Sequence, residues 1–481
     1  MKNIFYIFLT ITVFSCSTKK GKLSIEFNPN IATYSIVERL VANHNGRLFY
    51  IDGKRDYDYI PMVQKAFNEF KRKDNSKIIE STLNYLSIVG NQQDLTYQSL
   101  IRSEKFPENG FKYSLEGLNA DTKKLEAVEQ YIEDLKEFYL ENNLNEFFQN
   151  NMDFINGGIN EFKKNVPDSY VEQMEKYYGQ SFEKFVVYPD AFNTVPMDSA
   201  DTDFFHGNGQ QIETKSNSIA TMITSPFLPI DVNKQTTEYG FNHPDYIKLI
   251  ITHEFGHSFV NHTLQRVQPQ LNETENLFYS GLFEKMQSQG YGNWFTCMAE
   301  HLVRLGEIRI AETKGEKQRA KELRDMHINE FSFVLIPILE TKIIEYEQNR
   351  DKYPSYEDFL PDLLSILKVT NPAEVRELLS LSTETFSTTI NITVPNREDE
   401  VFIVGNQTAL GNWSPNVVKM NKTADFVRSI KLNLYSDAKL KFTKGSWATE
   451  GKLEKLDSGQ NVELKINNDS IYNFKIREWK K

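Results

Sequence analysis

The chain is poor in cysteine, with two in 481 residues, at Cys16 and Cys297. So sparse a supply excludes a disulfide-stapled scaffold, and stability must come from a packed core. Basic clusters are lacking too: 55 Lys and Arg stand against 66 Asp and Glu, a net charge of −11. Nucleic acid is therefore excluded as the partner, and the dispersed acidity reads as solvated surface. After the N-terminal segment, no stretch approaches the ~20 consecutive apolar residues that span a bilayer. Histidine is scarce, eight in all, which makes any closely spaced pair informative. What abounds is aromatic bulk, 34 Phe and 23 Tyr, in a composition 40% hydrophobic and 25% charged. That composition is globular, and the length predicts two or three compact units.

Lys2 followed by the almost wholly apolar run Ile4–Phe14 has the layout of a secretory signal. Val13-Phe14-Ser15-Cys16 sets a small residue before a cysteine and resembles the lipobox of bacterial lipoproteins. The resemblance implies that residues 1–15 are removed, that Cys16 carries lipid, and that residues 16–22 form a polar tether. The expected location is the bacterial cell envelope, at the outer membrane, with the lipid as the membrane contact. An ordinary signal peptide is the alternative. Cys297 lies in an apolar helical context and is expected to be a buried, unreactive thiol.

Texture then divides the chain into a region 23–382 and a region 386–481. In the first, Leu23–Phe27 alternates like a strand, and helical periodicity covers Pro61–Arg72 and most of Asp121–Gly179. Strand-like runs return at Phe185–Tyr188 and Ile219–Thr224. Long helices are predicted over Pro244–Leu264, Trp294–Thr313, Lys317–Asn349 and Tyr356–Leu367. Strands followed by helices, without βαβ alternation, predict an α+β fold. Beyond Thr383, β-branched and aromatic alternation between turn clusters predicts a small C-terminal β-sandwich.

The chemistry concentrates in His253-Glu254-Phe255-Gly256-His257. Histidines at i and i+4 share one helix face, so both rings can reach one zinc ion. Glu254 between them is placed to take a proton from water beside the metal. Asn242 or His243 can cap this helix and Pro244 suits its first turn. Gly256 in mid-helix costs ~1 kcal/mol relative to Ala, which makes sense where another element must pack close. The longer pattern with a third histidine is excluded, because Val260 and Thr263 occupy its positions. A glutamate from a later helix is the remaining common third ligand. Glu300, an acid inside the apolar run Trp294–Arg304, is the candidate, with Glu307 on the same face in reserve. Arg304 is a supporting or oxyanion-stabilising candidate, and Tyr239, Tyr291, His206 and His301 stand unranked beside it. Ile219–Thr224 is the candidate edge strand for holding an extended peptide.

On these residues, region 23–380 resembles zincin-like families of bacterial lipoproteins with an HEFGH-type helix and a later glutamate helix. The resemblance implies a gluzincin-like metallopeptidase acting on peptide or protein substrates. At the C-terminus, Val401–Asn406, Leu410-Gly411-Asn412-Trp413 and Lys441–Trp447 resemble the starch-binding family of carbohydrate-binding modules. That likeness implies sugar stacking at Trp413, a second aromatic at Trp447, and glycan or glycoprotein as a further partner. The function expected is zinc-dependent peptide-bond hydrolysis. The alternative is a glycan-binding surface lipoprotein with an inactive zincin domain.

Overall fold

The computed structural model describes residues 22–480 apart from 47–49, 52–53, 56–59, 91–92, 119, 168, 194–206, 214–216, 228–237, 455 and 457–458. Cys16 and its flanking segment, and His206, lie outside the described residues. The fold is α+β, with a helical middle region and C-terminal sheets. Two compact units divide the chain: Met1–Gln173 with Phe182–Lys248, and Met174–Ser181 with Leu249–Lys481.

In the first unit, helices Pro29–His44, Ser76–Val89 and Thr122–Glu141 pack their apolar faces around Val37, Leu100 and Leu135. Asn28 and Asp121 start two of these helices by accepting backbone N–H groups. A four-stranded sheet runs in the order Leu23–Ile25, Lys184–Pro189, Ser218–Thr224, Gly207–Glu213. Only its last pair is antiparallel. Ser218–Thr224 is paired on both sides and buried throughout. The expectation that Ile219–Thr224 forms an edge is therefore overturned. The edges are Leu23–Ile25 and Gly207–Glu213, and the second has a glycine- and glutamine-rich sequence that carries little strand propensity and forms by pairing. Just past Lys184–Pro189, the wholly buried Asp190 accepts from the Ser35 hydroxyl at 2.5 Å and from the Phe192 amide at 3.1 Å.

The second unit holds the long helices. The run expected as one helix over Lys317–Asn349 is broken into Lys317–Arg324, a π-helical turn Asp325–Glu330, and Ile336–Gln348. Ser332 adopts a left-handed φ of 61°, and Pro337 occupies the first turn of the next helix. Past residue 384, a five-stranded sheet and a four-stranded sheet share a core of Ile390, Ile403, Leu434, Leu440 and Phe442. The central strand Thr385–Thr393 buries alternate residues, which is the period-two pattern the sequence displays.

Arg376, 1% exposed, fixes helix Pro372–Leu378 to these sheets. Its guanidinium donates to the Ser382 carbonyl at 2.6 Å and the Asp437 carboxylate at 2.7 Å, and lies 3.8 Å from the Tyr435 ring. Nearby, Asn406 donates to Glu284 at 2.8 Å. Among the described residues no helix is long and apolar enough to cross a membrane.

Candidate metal centre

The motif helix spans Pro244–Arg266, and the His243 ring accepts the Tyr246 amide at its start. Ile247, Ile250, Ile251, Phe255, Phe259 and Val260 are all buried, so the helix is apolar on nearly every side. The glutamate helix spans Trp294–Thr313 and is capped by Asn293, which accepts the Thr296 amide. A β-carbon at Gly256 would stand 3.0 Å from Val303, so the two helices meet there across bare backbone. That approach explains a glycine in mid-helix and brings Glu300 opposite the two histidines.

Three side chains converge. His253 Nε2 and His257 Nε2 are 3.3 Å apart, and Glu300 lies 3.6 Å from the first and 3.4 Å from the second. Each histidine is turned by its other nitrogen. His253 Nδ1 donates to Glu307 at 2.7 Å, and His257 Nδ1 to Asn261 at 3.2 Å. With both protons committed outward, both Nε2 lone pairs face inward beside a carboxylate. Such a meeting of acceptors repels unless a cation sits among them. Glu300 Oε2 is buried and accepts no hydrogen bond from the described residues. A tetrahedral ion with ligands at ~2.0–2.2 Å spaces them about 3.3–3.6 Å apart, so the donor set fits a metal of that size. The triad can hold a metal ion.

Charge around Glu300 favours its ionised form. Burial pushes the carboxyl up, but His257 and His253, when they carry a second proton in place of an ion, and Arg304 together outweigh that and hold it below the ordinary range. Glu254 is 4% exposed within the same helix turn.

Glu307 is not a spare ligand. It stands behind His253 and also accepts from His327 Nε2 at 2.8 Å. The Arg304 guanidinium is buried, 3.5 Å from Glu300 Oε2, an ion-pair contact rather than a hydrogen bond. It also reaches the Tyr291 hydroxyl at 3.4 Å and His327 Nδ1 at 3.3 Å, and lies over the Phe333 ring.

The unranked candidates now separate. His301 is fully buried, and its Nδ1 donates to the Cys297 carbonyl at 2.8 Å; burial first of all lowers its pKa to about 4. Tyr239 belongs to the first unit, where its ring lies on Phe154 and Gly157. Tyr291 is the one whose hydroxyl senses Glu300 and Glu254. Burial, then the Glu300 charge, push it up to about 12, so it stays a proton donor. The Cys297 thiol is buried and raised well above its usual range, principally by burial. His327 had no signal in the sequence, because it lies in a π-helical turn that breaks the helical period.

On the C-terminal sheets, the rings of Trp413 and Trp447 stand 6.4 Å apart at a tilt of 34°. They line an open cleft of about 360 Å³ with Lys441 and, from helix Phe283–Gln287, Glu284. Gly411, Asn412 and Trp413 all have left-handed φ values, 79°, 51° and 57°. Glycine takes that conformation freely and asparagine tolerates it, whereas Trp413 is strained by it. Trp413 Nε1 is buried and has no hydrogen-bond partner among the described residues.

A search of curated proteins finds no match to the chain. The model of a family described as a domain of unknown function, DUF4932, matches residues 114–366, more than half of the chain. That span takes in His253, His257, Glu300, Glu307 and His327, and the chain belongs to this family.

Proposed function

We propose that the chain is a zinc-dependent peptide hydrolase in which His253, His257 and Glu300 hold the ion and Glu254 manages the proton of the attacking water. The observation that carries this reading is the meeting of two inward-facing imidazole lone pairs with a carboxylate at 3.3–3.6 Å, with Glu254 adjacent in sequence. Two nitrogens and one carboxylate oxygen suit zinc, and three protein ligands leave a position open for chemistry. Zinc, when bound, supplies a Lewis acid for the peptide carbonyl and makes water more acidic. Glu254 takes the proton as water adds to the carbonyl carbon, then delivers it to the amine nitrogen as the C–N bond breaks. Tyr291 donates its hydroxyl to the carbonyl oxygen as negative charge grows there. Arg304 Nη2 donates to the Tyr291 oxygen, which leaves the phenolic hydrogen for substrate.

Around this chemistry, acylation of Cys16 would hold the enzyme on the outside of the bacterial envelope. The Trp413–Trp447 cleft would bring it to glycan-bearing substrates. That tryptophan pair also favours the second reading, a glycan-binding surface protein without hydrolysis.

Glu254→Gln separates the two. It should keep stoichiometric zinc by elemental analysis and lose at least ~100-fold of peptide-library hydrolysis. Activity within tenfold of the unaltered chain would remove Glu254 from the mechanism.

A further inference from the structure

We infer that His327 is a positioning residue of the metal centre, locking His253 and Glu300 through one continuous set of side-chain contacts. This rests on the metal reading above and deepens it. The chain of contacts runs from His253 Nδ1 to Glu307 at 2.7 Å, from Glu307 to His327 Nε2 at 2.8 Å, and from His327 Nδ1 to Arg304 at 3.3 Å. It returns from Arg304 to Glu300 at 3.5 Å. Two ligands on different helices are thereby joined behind the site by a residue belonging to neither.

The protons on this path have one arrangement. A guanidinium only donates, so His327 Nδ1 must accept, and the ring's single proton lies on Nε2, facing Glu307. Glu307 thus receives a donor on each oxygen. One is His327; the other is His253 Nδ1, whose proton fixes the tautomer that turns the Nε2 lone pair toward His257 and Glu300. Remove the His327 donor and one oxygen of a buried carboxylate is left to turn toward Arg304, loosening its hold on His253.

The backbone supports a dedicated role. His327 sits in a π-helical turn and is fully buried, and its carbonyl accepts the Phe333 amide at 2.9 Å. That bond places the Phe333 ring against the Arg304 guanidinium, 4.4 Å away. One short segment therefore grips both Glu307 and Arg304, and π-helical turns are retained chiefly where such re-aiming matters.

The test is metal affinity, measured by competition with a chromophoric zinc chelator on the full chain, together with the visible spectrum of the cobalt-loaded protein. His327→Phe fills the volume but cannot donate, and His327→Gln restores an N–H toward Glu307. Affinity should fall roughly 10–100-fold in His327→Phe, with an altered cobalt spectrum, and return to within about threefold of the unaltered chain in His327→Gln. A merely structural histidine predicts the reverse order, with Phe the better replacement. If His327→Phe does not fold, His327→Asn replaces it, because its shorter amide falls short of Glu307. Equal affinity in the donor-lacking and donor-restoring variants overturns the inference alone. Failure of the unaltered chain to bind stoichiometric metal overturns the metal reading, and this inference with it.

Discussion

Glu307 and Asp190 are both wholly buried carboxylates, in different units, and the fold pushes them in opposite directions. Burial raises both. At Glu307 the rings of His327 and His253 reverse the effect and hold the carboxyl well below its usual range. At Asp190 the Ser35 hydroxyl and the Phe192 amide reverse it only partly, and the pKa stands at about 6. Burying an acid is costly in both places, but only the first surrounds it with groups that would orient a ligand. A buried carboxylate therefore points to a functional centre when its neighbours are themselves arranged around something, and not by burial alone.

The comparison breaks most completely at the first centre. His257→Ala should reduce hydrolysis to background and abolish the chelator sensitivity of unfolding. In the unaltered chain, metal at a thousand times its dissociation constant adds about 4 kcal/mol, so chelation should lower the melting temperature by several degrees. Unchanged melting on metal removal from a loaded sample would count against a native-state site. Next in size, Tyr291→Phe should lower kcat roughly 100-fold with KM and zinc content nearly unchanged. A loss confined to KM would make the hydroxyl a substrate-binding group instead.

Asp190 gives the contrasting result. Its pKa rises from 3.8 to about 6, so the folded chain binds this proton more tightly than the unfolded one. The stability it contributes is then greatest at low pH and is lost as pH rises through about 6. Asp190→Asn should be more stable than the unaltered chain above that pH by roughly 3 kcal/mol, the gap closing toward pH 4. A gap independent of pH in thermal melts would show that Asp190 does not titrate in this way. Zinc content should not change. The smallest effect belongs to the exposed cleft: Trp413→Ala should cost about 1 kcal/mol of millimolar binding to maltoheptaose or cyclodextrin, read by Trp447 fluorescence. Equal binding by the folded variant would move any sugar site elsewhere on the sheets.

Much of the centre was legible because its chemistry is local. His253 and His257 announce themselves by spacing, and Glu300 by being an acid in an apolar helix. The C-terminal sheets show in the alternation of Thr385–Thr393. What could not be read depends on tertiary placement. Glu307 lies seven residues beyond Glu300, on nearly the same helical face, yet it serves His253 from behind. His327 depends on a π-helical turn that no period announces, and the Gly207–Glu213 edge exists only because Ser218–Thr224 is there to pair with.

Arg376 has a consequence for how such proteins can be recombined. Its guanidinium is shared between the Ser382 carbonyl, just past the helix that carries it, and the Asp437 carboxylate of the sheet region, with Tyr435 as its floor. A cut at residue 383 would strand a buried cation on one fragment and its counter-charge on the other, so each would expose a surface built for the other. Exchange of the sheet region among relatives is thereby restricted to replacements that bring an acid and an aromatic ring to the same two places. The tail is less an appendage than a graft that must match its stock.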